Sequence, residues 1–386
     1  MKVSFIIKSW SDDSDACLVG GSAKSPTKVV REVEKRLEVP FVTYFDGTTS
    51  TNDNYTYHRV RYAKLYLKTL VQTLVSTVSV YRSFRYSDIV QCHHPHFGLF
   101  SAILRRYFFR NRSFIVKAHG TAVPELRANG YTGVRQVLLY LNSVVHRWHD
   151  RFVLESADVV LCSSKYQELE MVNVYGVAQA KLRTIYNGYD SSYFFPCGES
   201  DSNSNSFLKD DSTLDIVFCG RVVPKKGASY AIAVASHLCE LGYRVRLNLI
   251  LGSEAYIEDT ATLAEIRSAK TPQELSILEY FDLSESELAN TIRASDFAIV
   301  PSRNYESIPS VVYEFAACGI PVFATYQWGI PEVLNSEYAL TGDLVNDSSR
   351  ILKTIHNVST PSVSNIDRYS YGELVKEYID VYRQLV

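Results

Sequence analysis

Two glutamates, Glu306 and Glu314, stand with seven residues between them in the stretch from Pro301 to Thr325. A carboxylate only accepts hydrogen bonds, so each can hold a pair of sugar or ribose hydroxyls. A second set of charges lies upstream, in Gly220-Arg221-Val222-Val223-Pro224-Lys225-Lys226-Gly227. Arg221 offers a planar fork of donors and Lys226 a mobile point charge, a combination suited to a diphosphate. Charge-assisted bonds of this kind are about twice as strong as neutral ones. They strengthen further as negative charge builds on a departing group. Taken singly, each feature has a plainer reading: a helix Glu is often solvated, and a basic loop often lies on the surface. Taken together, they read as a nucleotide-sugar site.

The flanking pattern supplies the elements that must position these groups. Phe297 to Val300 reads as a buried strand, Ser302 to Ser307 as a polar loop and Val311 to Cys318 as a short helix, stopped by Gly319 and followed by a strand from Pro321 to Ala324. Pro309 suits a helix start, where donor amides and the positive end of the dipole favour a phosphate. Pro309 itself has no N–H, so Ser307, Ile308 and Ser310 must supply the amides. Upstream, a strand from Asp215 to Cys219 runs into Gly220, where a sharp backbone turn is expected, and then into a helix from Ser229 to Leu241. Further second-half elements are a strand Val245 to Leu251 and a helix Ser286 to Arg293.

The first half has the same rhythm. Strands are expected at Val3 to Ile7, Phe41 to Phe45, Ile89 to Cys92, Ser113 to Ala118 and Asp158 to Cys162. Helices are expected at Ser25 to Leu37, along an amphipathic stretch Val60 to Tyr81, and at Phe97 to Phe108. Alternation of this kind implies doubly wound parallel sheets. His119-Gly120-Thr121 follows the strand ending at Ala118, and ligands of such sheets gather at carboxyl ends of strands. A satisfied core histidine is the competing reading of His119. His93-His94-Pro95-His96 could suggest a metal, but no carboxylate or cysteine completes it at a familiar spacing. Asp13-Ser14-Asp15 has the spelling of a cation-binding Asp-x-Asp, in a polar loop where the match reads as chance.

Strand, loop, Pro309, the small residues Ala316 and Ala317, Gly319 and then Pro321-Val322-Phe323-Ala324-Thr325 resemble the donor-binding signature of the retaining family 4 glycosyltransferases. That resemblance implies a GT-B fold, an α/β architecture of two Rossmann-like doubly wound domains facing across a cleft. It assigns Arg221 and Lys226 to the donor diphosphate, Glu314 to the ribose, Glu306 to the transferred sugar and His119 to hydrogen bonding at the reacting centre. Gly20 and Gly21 resemble the family's glycine loop near the diphosphate. Asn187-Gly188-Tyr189-Asp190 with Phe194-Phe195-Pro196 resembles the turn into the interdomain connection. Many relatives carry a glycine-rich stretch after the first Glu, where this chain has Ser307-Ile308-Pro309-Ser310. The implied chemistry is transfer with retention, the leaving diphosphate helping to deprotonate the acceptor, with Arg221 and Lys226 in place of a divalent cation. No cofactor or metal is expected.

The length of 386 residues suits two domains. Their expected limits are 1–196 for the acceptor-binding domain, 197–214 for a Ser- and Asn-rich linker, 215–364 for the donor domain, and 365–386 for a final helix (Ser370 to Leu385) crossing back to the first domain. Seven scattered cysteines argue for reduced thiols. No apolar run is long enough for a bilayer, and the first residues read as a strand rather than a signal peptide. A cytoplasmic protein is expected. Residues 1–196 hold 25 Lys and Arg against 16 Asp and Glu, while 197–386 hold 15 against 26. Basic and aromatic residues interleave in Arg59 to Lys68, Tyr81 to Tyr86 and Leu104 to Arg112, a pattern suited to the anionic inner face of a cell membrane. The competing reading is a set of core helices with solvated cations. No nucleic-acid motif accompanies the charge. The acceptor expected is a saccharide or lipid-linked saccharide of envelope polysaccharide or glycolipid synthesis. The rival functions are a nucleotide-sugar epimerase and a non-catalytic nucleotide-sugar-binding subunit.

Overall fold

The computed structural model describes residues 1–15, 21–47, 50, 52–58, 71, 74–119, 134–196, 213–254, 257, 259–303, 306–357 and 361–386, the side chains of 21–23, 47, 134–143 and 357 excepted. Gly20, Gly120, Thr121, the basic run at 59–68 and most of the expected linker, 197–212, lie outside the described residues. The chain forms two compact units. The first comprises Met1–Ser14, Gly21–Asn187 and Tyr371–Val386, and the second holds Gly188–Ser370 and takes in Asp15.

The first unit is built on strands β1 (Val3–Ile6), β3 (Val42–Tyr44), β5 (Tyr55–Tyr57), β6 (Ile89–His93), β7 (Ser113–Ala118), β8 (Val159–Cys162) and β9 (Leu182–Thr184), with a short separate pair β2 (Ser9–Trp10) and β4 (Asp46–Gly47). The seven-stranded sheet is parallel throughout and ordered β5-β3-β1-β6-β7-β8-β9. Because both faces are covered, its strands are mostly buried and largely apolar on both faces, with polar residues such as Gln91, His93 and Lys117 buried among them. Phe5, Ile89, Ile115 and Leu161 join one core, while Ile6, Val90, Phe114, Val116 and Val160 join another. The first core is closed by α1 (Gly21–Glu34), through Val29, Val30 and Val33, and by the C-terminal helix Tyr371–Arg383, through Leu374, Val375, Tyr378 and Tyr382. The second is closed by α2 (Thr77–Tyr86), α3 (Leu99–Ile103), α4 (Val134–Ser156) and α5 (Lys165–Tyr175).

The second unit carries a six-stranded parallel sheet of β10 (Leu214–Cys219), β11 (Val245–Ile250), β12 (Leu275–Tyr280), β13 (Phe297–Val300), β14 (Val322–Thr325) and β15 (Ala339–Leu340), ordered β12-β11-β10-β13-β14-β15. Its helices are α6 (Ala228–Glu240), α7 (Thr260–Ser268), α8 (Glu285–Ala294), α9 (Ser310–Ala317) and α10 (Leu344–Asn357). In both sheets the chain winds outward from the central strand in one direction and then reverses, and the reversal falls between β1 and β6 and between β10 and β13. Crevices at such reversals are where doubly wound sheets bind ligands.

One expectation needs amendment, and two others are refined or lie largely outside the described residues. The helix expected from Phe97 to Phe108 is broken: α3 ends at Ile103 and Leu104–Phe108 continues as a wide π turn. The amphipathic stretch from Val60 to Tyr81 is described only near its end, where α2 runs on to Tyr86. Gly220 does not adopt a left-handed backbone. It is needed for space, because a Cβ there would meet the Phe218 ring at 3.0 Å and Lys226 Cβ at 3.3 Å.

Candidate functional site

In the second unit, the loops that leave β10 and β13 are brought together by their strands, which pair in parallel at Ile216 with Phe297 and Val217 with Ala298. Arg303 N donates to Lys225 O at 2.8 Å, joining the two loops directly. Gly227 makes this approach possible. Its φ is +77°, and a Cβ would lie 2.1 Å from Pro301 O, a contact no side chain tolerates. Lys226 and Glu306, eighty residues apart, form an ion pair with side chains only 20% and 12% exposed. Lys226 and Glu306, from two loops distant in sequence, therefore share one small space.

Helix α9 starts at Ser310, with Pro309 as its N-cap rather than within its first turn. Ser310 and Ser302 are buried, and among the described residues neither hydroxyl has a hydrogen-bond partner. Glu314 is 4% exposed, so the plainer reading of it as a solvated helix residue is ruled out. Ile308 is buried and Ser307 nearly so. Their loop is seated on the backbone of Gly329, where a Cβ would fall 2.0 Å from Ser307 O. Arg221 is half-buried beside Gly220.

Sequence reasoning missed two supports of this loop set. Gly329 is one, signalled only by a Gly-Ile-Pro run after β14. The other is Asp347, fully buried, which accepts from Thr341 N and Oγ1, Gly342 N and the Tyr230 hydroxyl, the last at 2.7 Å. Tyr230 lies in the first turn of α6, so Asp347 steadies the helix that follows the Arg221 to Lys226 loop. Asp15 is also occupied: its carboxylate accepts from Ser286 N at 2.8 Å and Ser286 Oγ at 2.7 Å, at the start of α8.

In the first unit His119 follows β7 and His93 ends the neighbouring strand β6. Their rings stack with centroids 5.2 Å apart, and His93 Nδ1 lies 2.9 Å from His119 Nε2. His94 sits over His119 at 5.0 Å, held at φ +91°, a strained backbone for a residue other than glycine. Burial, together with neighbouring histidines and Lys117, pushes the His93 and His119 rings well below the ordinary histidine range. The fully buried Lys117 ammonium, which donates to Ile185 O, is itself lowered to about 7 by burial. A carboxylate distant in sequence also reaches the histidine loop. Asp150 on α4, fully buried, lies 3.9 Å from His96 Nδ1 and 3.0 Å from His149 Nδ1. Burial raises its carboxyl, but the hydrogen bond from His149 and the nearby His96 outweigh that and hold it at about 2. Among the described residues no three His, Cys, Asp or Glu side chains gather as a metal ion would require.

The basic surface is less free than its composition suggests. Arg105 forms a two-pronged pair with Asp158 at 2.9 and 2.6 Å, and Arg112 pairs with Asp88 at 3.2 Å. Arg82 lies over the Phe41 ring and Arg106 over Phe152. Beside them Val78, Tyr81, Tyr107 and Phe108 are exposed.

Comparison with known proteins follows the same division. Residues 19–193 match the family model described as Glycosyltransferase Family 4, and residues 199–356 match that of Glycosyl transferases group 1. The chain is 25% identical over 210 residues to D-inositol 3-phosphate glycosyltransferase of Thermobifida fusca, covering 53% of this chain and 48% of the relative. The match thus spans about half the length of that curated relative. Among solved structures it resembles sucrose-phosphate synthase of Thermosynechococcus elongatus, with TM-score 0.72, 17% identity and 100% and 98% of the two chains covered. It also resembles Anabaena HepE in complex with UDP and glucose, with TM-score 0.68, 16% identity and 99% of each chain covered. These likenesses show the GT-B fold. With one family model on each half, the chain belongs to the family 4, group 1 glycosyltransferases.

Proposed function

We propose that the protein transfers a glycosyl group, with retention of anomeric configuration, from a nucleoside-diphosphate sugar to a hydroxyl of a saccharide or lipid-linked saccharide. The observation that carries this reading is the convergence, at the β10/β13 reversal, of Lys226, Glu306, the start of α9 and buried Glu314. Arg221 and Lys226 would hold the diphosphate, the amides around Ser307, Ile308 and Ser310 its oxygens, and Glu314 the ribose hydroxyls. Lys226 would exchange its bond to Glu306 for the phosphate, freeing Glu306 for the transferred sugar. His119 would hydrogen-bond that sugar. No carboxylate is assigned as a nucleophile. The protein positions the reactants and stabilises charge on the leaving diphosphate, which takes the acceptor proton, so no divalent cation is needed.

The exposed Val78, Tyr81, Tyr107 and Phe108 beside Arg82, Arg85, Arg106 and Arg110 support an acceptor carried at an anionic membrane surface in the cytoplasm, in envelope polysaccharide or glycolipid synthesis. No helix among the described residues is long and apolar enough to cross a membrane. Flotation with liposomes should carry the protein upward only when anionic lipid is present, and sedimentation in both cases would refute the surface. Nucleotide release from UDP-, GDP-, ADP- and dTDP-sugars in EDTA, with the product anomer read by NMR, tests the transfer. UDP-glucose comes first because the HepE structure holds UDP and glucose. Donor conversion without acceptor would mark an epimerase, and binding without release a non-catalytic subunit.

A further inference from the structure

A hydrogen-bonded chain inside the first unit leads from the C-terminal helix to His119. Tyr382 Oη donates to Gln91 Oε1 at 2.7 Å, Gln91 Nε2 meets His93 Nε2 at 2.8 Å, and His93 Nδ1 meets His119 Nε2 at 2.9 Å. Tyr382, Gln91 and His93 are each fully buried, away from bulk solvent. Because Gln91 is the only partner of the Tyr382 hydroxyl among the described residues, the buried O–H must donate to it. That fixes the amide: its oxygen faces Tyr382 and its NH2, which can only donate, faces His93. His93 Nε2 is then an acceptor. A neutral imidazole has one proton, so His93 carries it on Nδ1 and donates to His119 Nε2. By the same step a neutral His119 carries its proton on Nδ1.

We propose that His93, Gln91 and Tyr382 are positioning residues that fix His119 as the Nδ1–H tautomer, with its Nε2 lone pair committed to His93. Both rings are neutral, because burial and the Lys117 cation oppose a further positive charge. His119 is then a hydrogen-bond donor that has no lone pair left for base catalysis. This deepens, and rests on, the proposed glycosyl transfer: the group that His119 meets on the sugar must be an acceptor oxygen, and the acceptor hydroxyl must lose its proton elsewhere. The His94 ring, tilted against His119 and held in a strained backbone, adds a packing restraint on the His119 ring.

The test is a long-range proton–nitrogen correlation spectrum of the full chain labelled with 15N-histidine, with His93→Gln and His119→Gln used to assign the two rings. The expected result is that His93 and His119 both appear as Nδ1–H tautomers. Tyr382→Phe, which removes only the terminal donor and keeps the ring packing, should let the Gln91 amide turn and shift both rings toward Nε2–H. In the same variant, nucleotide release should fall about fivefold at unchanged donor KM, the size of one net hydrogen bond. His119 seen as Nε2–H or as imidazolium in the wild type, or tautomers unmoved in Tyr382→Phe, would overturn the proposal. If the tautomers are as described but no donor releases nucleotide, the positioning chain stands and the transferase reading fails.

Discussion

The two units use the same sheet plan yet build their chemistry in opposite ways. In the second, the groups proposed to hold the donor sit on two loops leaving adjacent strands and on the helix after the second, and backbone contact at Gly227 and Gly329 sets the geometry. In the first, His119 is embedded in side chains drawn from β6, β7 and the C-terminal helix, with Asp150 and α4 behind the histidine loop. On the proposed reading, loops of the first kind present charge to a ligand once Lys226 exchanges its bond to Glu306 for the phosphate. A side-chain cluster of the second kind controls the protonation of one ring. The comparison teaches that donor binding should depend on local backbone and charge, whereas His119 should depend on residues distant in sequence.

The sharpest way to break the comparison is Arg221→Ala, which should lower nucleotide release by about 10²- to 10³-fold, as loss of one preorganised donor to a developing anion does. Steady-state release assays would show it, and the first unit's histidine spectrum should not change. Glu314→Ala should weaken donor affinity by about 10- to 100-fold, the range for a hydrogen bond to a charged group, measurable by calorimetric titration. Gly227→Ala should destabilise the protein by about 1–2 kcal/mol from the left-handed backbone, with a further cost from the clash with Pro301 O. Thermal unfolding should show a lowered Tm, and Gly242→Ala, also at positive φ but with open space around it, should cost less.

The distribution of sequence signal matches this difference. The groups expected at the donor loops stood out because they fall in two short contiguous stretches, Gly220 to Gly227 and Pro301 to Thr325, whereas the supports Gly329 and Asp347 lie outside both. The sheets were legible too, since parallel strands buried on both faces leave apolar runs with turn residues between them. What was not legible required knowing which distant residues meet. Asp150 completes the histidine loop from α4, and Tyr382 reaches Gln91 across most of the chain. Neither contact leaves a pattern in local spacing. The π turn after Ile103 was hidden because the same residues satisfy a helical period.

A smaller effect belongs to the first unit. The Asp150 carboxyl is held at about 2 against an ordinary 3.8, so its pairing stabilises the fold fully above that ordinary value. The contribution is lost as pH falls from 3.8 toward about 2. Asp150→Asn should therefore be less stable than wild type near neutrality by about 2 kcal/mol. Unfolding midpoints measured across acid pH should converge between the two proteins at the low end.

The central claim is that the loops after β10 and β13 form a nucleotide-sugar site. Its most direct test is a thermal-shift titration of the wild type, Arg221→Ala and Glu314→Ala with UDP-, GDP-, ADP- and dTDP-sugars in EDTA. The account predicts that one donor raises the wild-type Tm without metal and that both variants lose the shift. A shift retained in both variants, or none with any donor, would contradict it.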